Sequence, residues 1–250
     1  VAEGCVLLKN DNALPLKKGS KISLFGRIQF NYIKSGTGSG GMVNAPYIVS
    51  ILDALKEEED ISINEELLEA YTEWVKVNPF NKGKGWANEP WCQEEMELSD
   101  DTVKKAAQAS DEAVIIIGRT AGEDQDNSAK EGSYLLTLKE RAMIEKVCKY
   151  FEKTVVVLNV GNIIDMKWVS ELNPSAVVYA WQGGIEGGHG VADVLMGRVN
   201  PCGKLADTIA YDYKDYPSTA NFNKNADKFD PAMYMELKHS NKLDYNDRDV

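Results

Sequence analysis

The run AVIIIG at residues 113–118 carries no polar side chain, and the long polar stretch RTAGEDQDNSAKEGSYLLT at 119–137 follows it at once. An apolar, β-branched run of this kind reads as a strand covered on both faces, because a half-exposed strand alternates apolar with polar residues. Similar runs recur at KISLFG (21–26), TVVVLNV (154–160) and SAVVYAW (175–181), with a weaker one at ISIN (61–64). Helical patterns lie between them over 44–58, 65–76, 99–109, 137–152 and 186–197. Ser99 stands as an N-cap, and Thr137 with Glu140 at N3 forms a capping box. Strand and helix in alternation predict the α/β class, a three-layer sandwich with a mainly parallel sheet, flavodoxin-like in general architecture.

Around these elements the pattern is less regular. GKLADTIA (203–210) reads as an added edge strand, and NPFNKGKGWANEPW within 77–97 as a long excursion in place of a linker. From 211 to 250 Tyr, Asp, Asn and Lys replace the periodic pattern, which predicts an extended tail after a domain spanning 1–210. The opening VAEGCVLLKND has no initiator Met and reads as the inside of a helix, as in a piece cut from a longer polypeptide.

The 250 residues are 43% hydrophobic and 27% charged, an ordinary globular composition, with a net charge of −11. Lys and Arg are scattered, so nothing is built to hold nucleic acid or anionic lipid. No apolar run approaches the roughly 18–20 residues of a membrane span. Cys5, Cys92, Cys148 and Cys202 form no CxxC pair, which argues against a metal knuckle and for free thiols in a reducing, cytoplasmic compartment. No metal or cofactor is expected. His189 and His239 are the only histidines, and neither has a partner near it in sequence. The self-repelling charge favours a monomer.

Three carboxylates, Glu123, Asp124 and Asp126, stand just past the 113–118 strand, where open α/β sheets place their ligands. Such a cluster is either a working group or a solvated turn. Two glycine-rich loops, SGTGSGG (35–41) and WQGGIEGGHG (181–190), also follow strands. Neither is a dinucleotide fingerprint: Gly36 comes ten residues after Gly26, and no GxxxxGK[ST] occurs. Close backbone packing, or a loop lying flat along a pocket rim, accounts for the glycines. Trp181 reads as core or pocket wall and Trp86 as an exposed aromatic.

Taken in order, EGCVLLKNDNALPL, KISLFG, GTGSGG, SILDAL, AVIIIGRTAGEDQDN, TVVVLNVGNIIDM and AVVYAWQGGIEGGHGVADVLMGRVNPCGKLADT resemble the α/β sandwich domain of family 3 glycoside hydrolases over about residues 2–222. The resemblance implies a domain of a retaining β-glycosidase, β-glucosidase-like, that hydrolyses terminal β-D-glucosyl residues of a small β-glucoside or oligosaccharide. It implies an aspartate nucleophile on a (β/α)8 barrel outside this chain, which loops 27–43, 77–97 and 119–134 would face. AGEDQDN matches the family's SGEGxDR-like motif and makes Glu123 the general acid/base. Asp124, Asp126, Gly38, Ser39 and Trp86 become candidates for the substrate-binding rim. The sequence departs from that motif at Asp124, whose like charge is expected to raise the pKa of Glu123, and at Asn127, where loss of an Arg is expected to loosen the loop. A non-catalytic carbohydrate-binding or scaffold module is the alternative.

Overall fold

The computed structural model describes residues 1–220 except 42, 85–87, 124 and 125. Six strands form one sheet: β1 (Val6–Asn10), β2 (Lys21–Phe25), β3 (Ser62–Ile63), β4 (Glu112–Arg119), β5 (Thr154–Val160) and β6 (Ala176–Tyr179), in the order β1-β6-β5-β4-β2-β3. All neighbours pair in parallel except β1 with β6. The helices are α1 (Ile51–Lys56), α2 (Glu65–Val77), α3 (Asp100–Ala109), α4 (Leu138–Tyr150), α5 (Lys167–Leu172) and α6 (Gly187–Leu195). Every residue of β4 and β5 is buried, as their unbroken apolar runs require.

Alternate residues serve the two faces. Ile22 and Leu24, Val114 and Ile116, Val155 and Val157, and Val178 join Ile51, Leu55, Val191 and Leu195 of α1 and α6 in one core. On the other face Phe25 meets Phe151 edge-on, with centroids 5.8 Å apart, beneath the layer of α2 to α5. The expected caps are in place: Ser99 accepts the Thr102 N–H, and Thr137 and Glu140 form the capping box of α4.

Several expectations are corrected. The opening is not helical beyond a 3-10 turn at Ala2–Gly4; it continues as the antiparallel edge strand β1. That strand occupies the free edge of β6, and 203–210 forms no strand; where that stretch begins, the Cys202 N–H lies on Glu3 O and the Gly203 N–H on Cys5 O. The helix expected over 44–58 is confined to α1: Ser50 caps it, and Val49 N–H is taken by Ile185 O. Contacts divide the chain into Val1–Thr208 and Ile209–Val250. Over 209–220 the second unit makes 3-10 turns at Tyr213–Asp215 and Pro217–Ala220, and the rest of the expected tail, 221–250, lies outside the described residues.

The excursion after α2 is pinned to the sheet. Arg27 donates from its guanidinium to Asn78 O and Glu94 O and from its backbone to Glu95 Oε2 at 2.9 Å, while the Met96 N–H reaches Glu95 Oε1 at 2.8 Å. Burial pushes the Glu95 carboxyl up to about 7, against the opposing pull of those two backbone N–H groups. Folded chains therefore hold a proton on Glu95 that unfolded chains have already released above the ordinary carboxylate range. Stability contributed by this group is expected to fall as pH rises from that range to about 7 and to change no further above it. Glu95→Gln should flatten this slope in denaturant titrations run across pH; an unchanged slope would assign the titration elsewhere.

Candidate active site

Because β2, β4, β5 and β6 are parallel, the loops after them gather at one edge of the sheet. Glu123 stands on the loop after β4 with its side chain exposed. Its Oε2 accepts both the hydroxyl of Ser39 at 2.7 Å and the Ser39 backbone N–H at 3.0 Å, from the loop after β2. These donors, the hydroxyl first, hold the Glu123 carboxyl below the usual range, with burial opposing them weakly. That is opposite to the direction expected from a like charge next in sequence.

Backbone packing makes this approach possible. Gly38 has φ +73°, and a Cβ there would stand 2.8 Å from Oε2 and 2.9 Å from the Cβ of Glu123. Beside it the Thr37 N–H donates to Ala121 O at 2.6 Å, and a side chain on Gly122 would collide with the Thr37 hydroxyl. The two loops thus meet main chain to main chain.

Farther along the loop, Asn127 corrects the expectation of looseness. Its Nδ2 donates to Ile163 O at 2.9 Å and its Oδ1 accepts from Ser133 Oγ at 2.7 Å, while Ser133 Oγ also accepts the Ser128 N–H at 3.1 Å. A short amide here fixes the loop by different bonds from those an Arg would make.

The structure thus brings Glu123, Ser39 and Gly38 together. Asp126 is exposed on the same loop. Asp124 and Trp86 lie outside the described residues. Trp181 is half-buried at φ +56°, with its ring centroid 4.4 Å from that of Tyr179. His189 is a half-buried bridge between Glu186 and Glu57, whose carboxylates raise its pKa. Among the described residues no three His, Cys, Asp or Glu side chains gather as metal ligands, and no helix is long and apolar enough to cross a membrane.

Two further residues escaped sequence reasoning. Asn159, fully buried in β5, donates to Ile33 O and Trp181 O and accepts the Ile33 N–H, stitching the loop after β2 to the one after β6. Arg119, also fully buried, ends β4 and pairs with Glu140. The only signal in the sequence was a polar side chain at the end of an otherwise apolar strand, since buried polar groups require partners.

Fold and site together define an α/β sandwich module that carries an exposed carboxylate at the carboxyl edge of its sheet. Residues 5–245 match the glycosyl hydrolase family 3 C-terminal domain, and the chain belongs to that family. It is 54% identical over 239 residues to a beta-glucosidase of Ruminococcus albus, covering 95% of this chain and 25% of that protein. A solved beta-glucosidase from Paenibacillus barengoltzii superposes with a TM-score of 0.86 at 53% identity, over 90% of this chain and 25% of its own. Beta-glucosidase 3B from Thermotoga neapolitana, solved in complex with glucose, gives a TM-score of 0.80 at 37% identity, over 90% and 32%. The chain therefore spans about a quarter to a third of these relatives' length.

Proposed function

We propose that this chain is the acid/base-bearing domain of a retaining β-glucosidase that removes terminal β-D-glucosyl residues from small β-glucosides or oligosaccharides. The observation that carries the reading is one exposed carboxylate, Glu123, held by the facing loop through Ser39. Retaining hydrolysis needs two carboxyl groups about 5–5.5 Å apart. The second, the nucleophile, is assigned to a (β/α)8 barrel of the parent protein, docked against the loops around Glu123. Residues 1–210 are read as the sandwich domain, with the stretch from 211 onward leading toward its neighbour.

Glu123 then works in two steps. Ser39 favours its ionised form in this chain, and a second carboxylate brought close raises its pKa so that it holds a proton. As the nucleophile attacks the anomeric carbon, Glu123 gives that proton to the departing glycosidic oxygen. In the second step the ionised Glu123 takes a proton from water, which attacks the glycosyl-enzyme and frees the nucleophile. Asp124, Asp126, Gly38, Ser39 and Trp86 are assigned to the rim that receives the substrate. The described cysteines are all free thiols, which supports a cytoplasmic setting, and the isolated chain is assigned as a monomer.

Purified by itself, the chain should not hydrolyse p-nitrophenyl β-glucoside, whereas the parent enzyme with its barrel should. Turnover by the chain alone, abolished by substituting Glu123, would overturn the missing nucleophile. A parent enzyme indifferent to that substitution would favour the non-catalytic sugar-binding or scaffold reading.

A further inference from the structure

We propose that Arg119 is a positioning residue for Glu123, its buried guanidinium fastening both ends of the loop that carries the carboxyl onto the first turn of α4. This rests on the reading of Glu123 as acid/base. Arg119 closes β4 immediately before that loop, and its side chain is fully buried. All five of its N–H groups are used. Nε donates to Ser133 O at 3.2 Å and Nη2 to Leu135 O at 3.3 Å, both at the far end of the loop. Nη1 donates to Gly118 O at 2.7 Å, at the near end. The remaining pair forms a fork on Glu140, with Nη1 to Oε1 and Nη2 to Oε2 both at 2.6 Å.

Glu140 is immobilised in turn. Its Oε2 also accepts the Thr137 N–H at 2.8 Å and the Thr137 hydroxyl at 3.1 Å, in the capping box of α4. The backbone carbonyl of Arg119 meanwhile accepts Gly161 N–H and Gln182 Nε2, tying the start of the loop to the two neighbouring loops. Glu123 is only four residues beyond this anchor. A loop is mobile unless its ends are fixed, and a proton donor must sit within hydrogen-bond reach of one oxygen atom. The planar fork is suited to such anchoring, because a lysine ammonium offers three donors from a point and cannot span both loop ends and a carboxylate. Were the pair present only to stabilise the core, an apolar pair of similar volume would serve equally well.

The test uses the full-length parent enzyme with an alkyl β-glucoside, whose leaving group needs a proton, and a dinitrophenyl β-glucoside, whose leaving group does not. Arg119→Lys is expected to lower kcat/KM for the alkyl substrate by about 10²-fold, the scale of a misplaced catalytic group, while barely changing the aryl substrate. The double variant Arg119→Met/Glu140→Leu removes both charges. It should have a Tm well above that of Glu140→Leu alone, because no buried charge is left unpaired, and still show the same leaving-group-selective loss. Equal losses on both substrates, or recovery of alkyl-glucoside activity along with Tm in the double variant, would overturn the positioning role. Glu123→Gln is run in parallel. If it lacks the leaving-group signature, the acid/base reading itself fails; if it shows the signature and the Arg119 variants do not, only the inference about Arg119 falls.

Discussion

Glu123→Gln in the parent enzyme is expected to slow hydrolysis of alkyl β-glucosides by about 10²–10⁴-fold, the usual contribution of a general acid, and to slow dinitrophenyl glucoside cleavage far less in kcat/KM. The contrast follows from the leaving groups, because a stable aryloxide departs without a proton and an alkoxide does not. The second step loses its base in the same variant. Azide, which needs no base, should therefore restore turnover to Glu123→Gly and yield a β-configured glycosyl azide. Asp126→Asn should cost less and show no rescue: Asp126 is an exposed neighbour on the loop, and the carboxylate that Ser39 holds from the facing loop is that of Glu123. Equal losses for good and poor leaving groups, with no azide effect, would leave Glu123 holding the loop and make Asp124 the next carboxylate to test.

Glu140→Leu is expected to destabilise the fold by about 3–5 kcal/mol, because it leaves the fully buried Arg119 guanidinium without its counter-charge. The same change removes the acceptor for the Thr137 N–H at the start of α4. Adding Arg119→Met should recover most of the loss, since the expensive species is an unpaired buried charge. Urea unfolding at fixed pH measures both. A loss below about 1 kcal/mol for Glu140→Leu would mean that water reaches the pair and that it behaves as a surface ion pair.

Much of the architecture was legible because the central strands have no choice of environment. The runs at 113–118 and 154–160 contain so little polar surface that only a doubly covered sheet accommodates them, and they are β4 and β5. Thr137 and Glu140 announced α4 through local chemistry that needs no tertiary context. The edge was not legible. In β1 only Val6 is buried, so VLLKN lacks the signature of a covered strand, and its pairing with β6 depends on residues about 170 positions away. Short α5 has no side-chain cap at Met166 to mark its start.

The candidate site divides in the same way. Glu123 stands out as a carboxylate after a buried strand, but its bond to Ser39 exists only because two loops meet across 84 positions of sequence. The direction of its pKa followed from that tertiary contact, which a neighbouring charge in the sequence does not report. Arg119 was visible as a letter and invisible as a hub, because its partners are mostly backbone carbonyls whose placement no side-chain pattern encodes.

The hydrogen bonds joining residues 3–5 to residues 202–203 carry a further consequence. Strand β1 and the segment that leaves α6 lie side by side, so the described chain reaches the sheet and departs from α6 at neighbouring points. A gene can splice such a cassette ahead of, behind or inside a neighbouring coding segment without stretching either junction across the fold. Recombination can therefore shuffle the order of parts while every packed layer stays as it is.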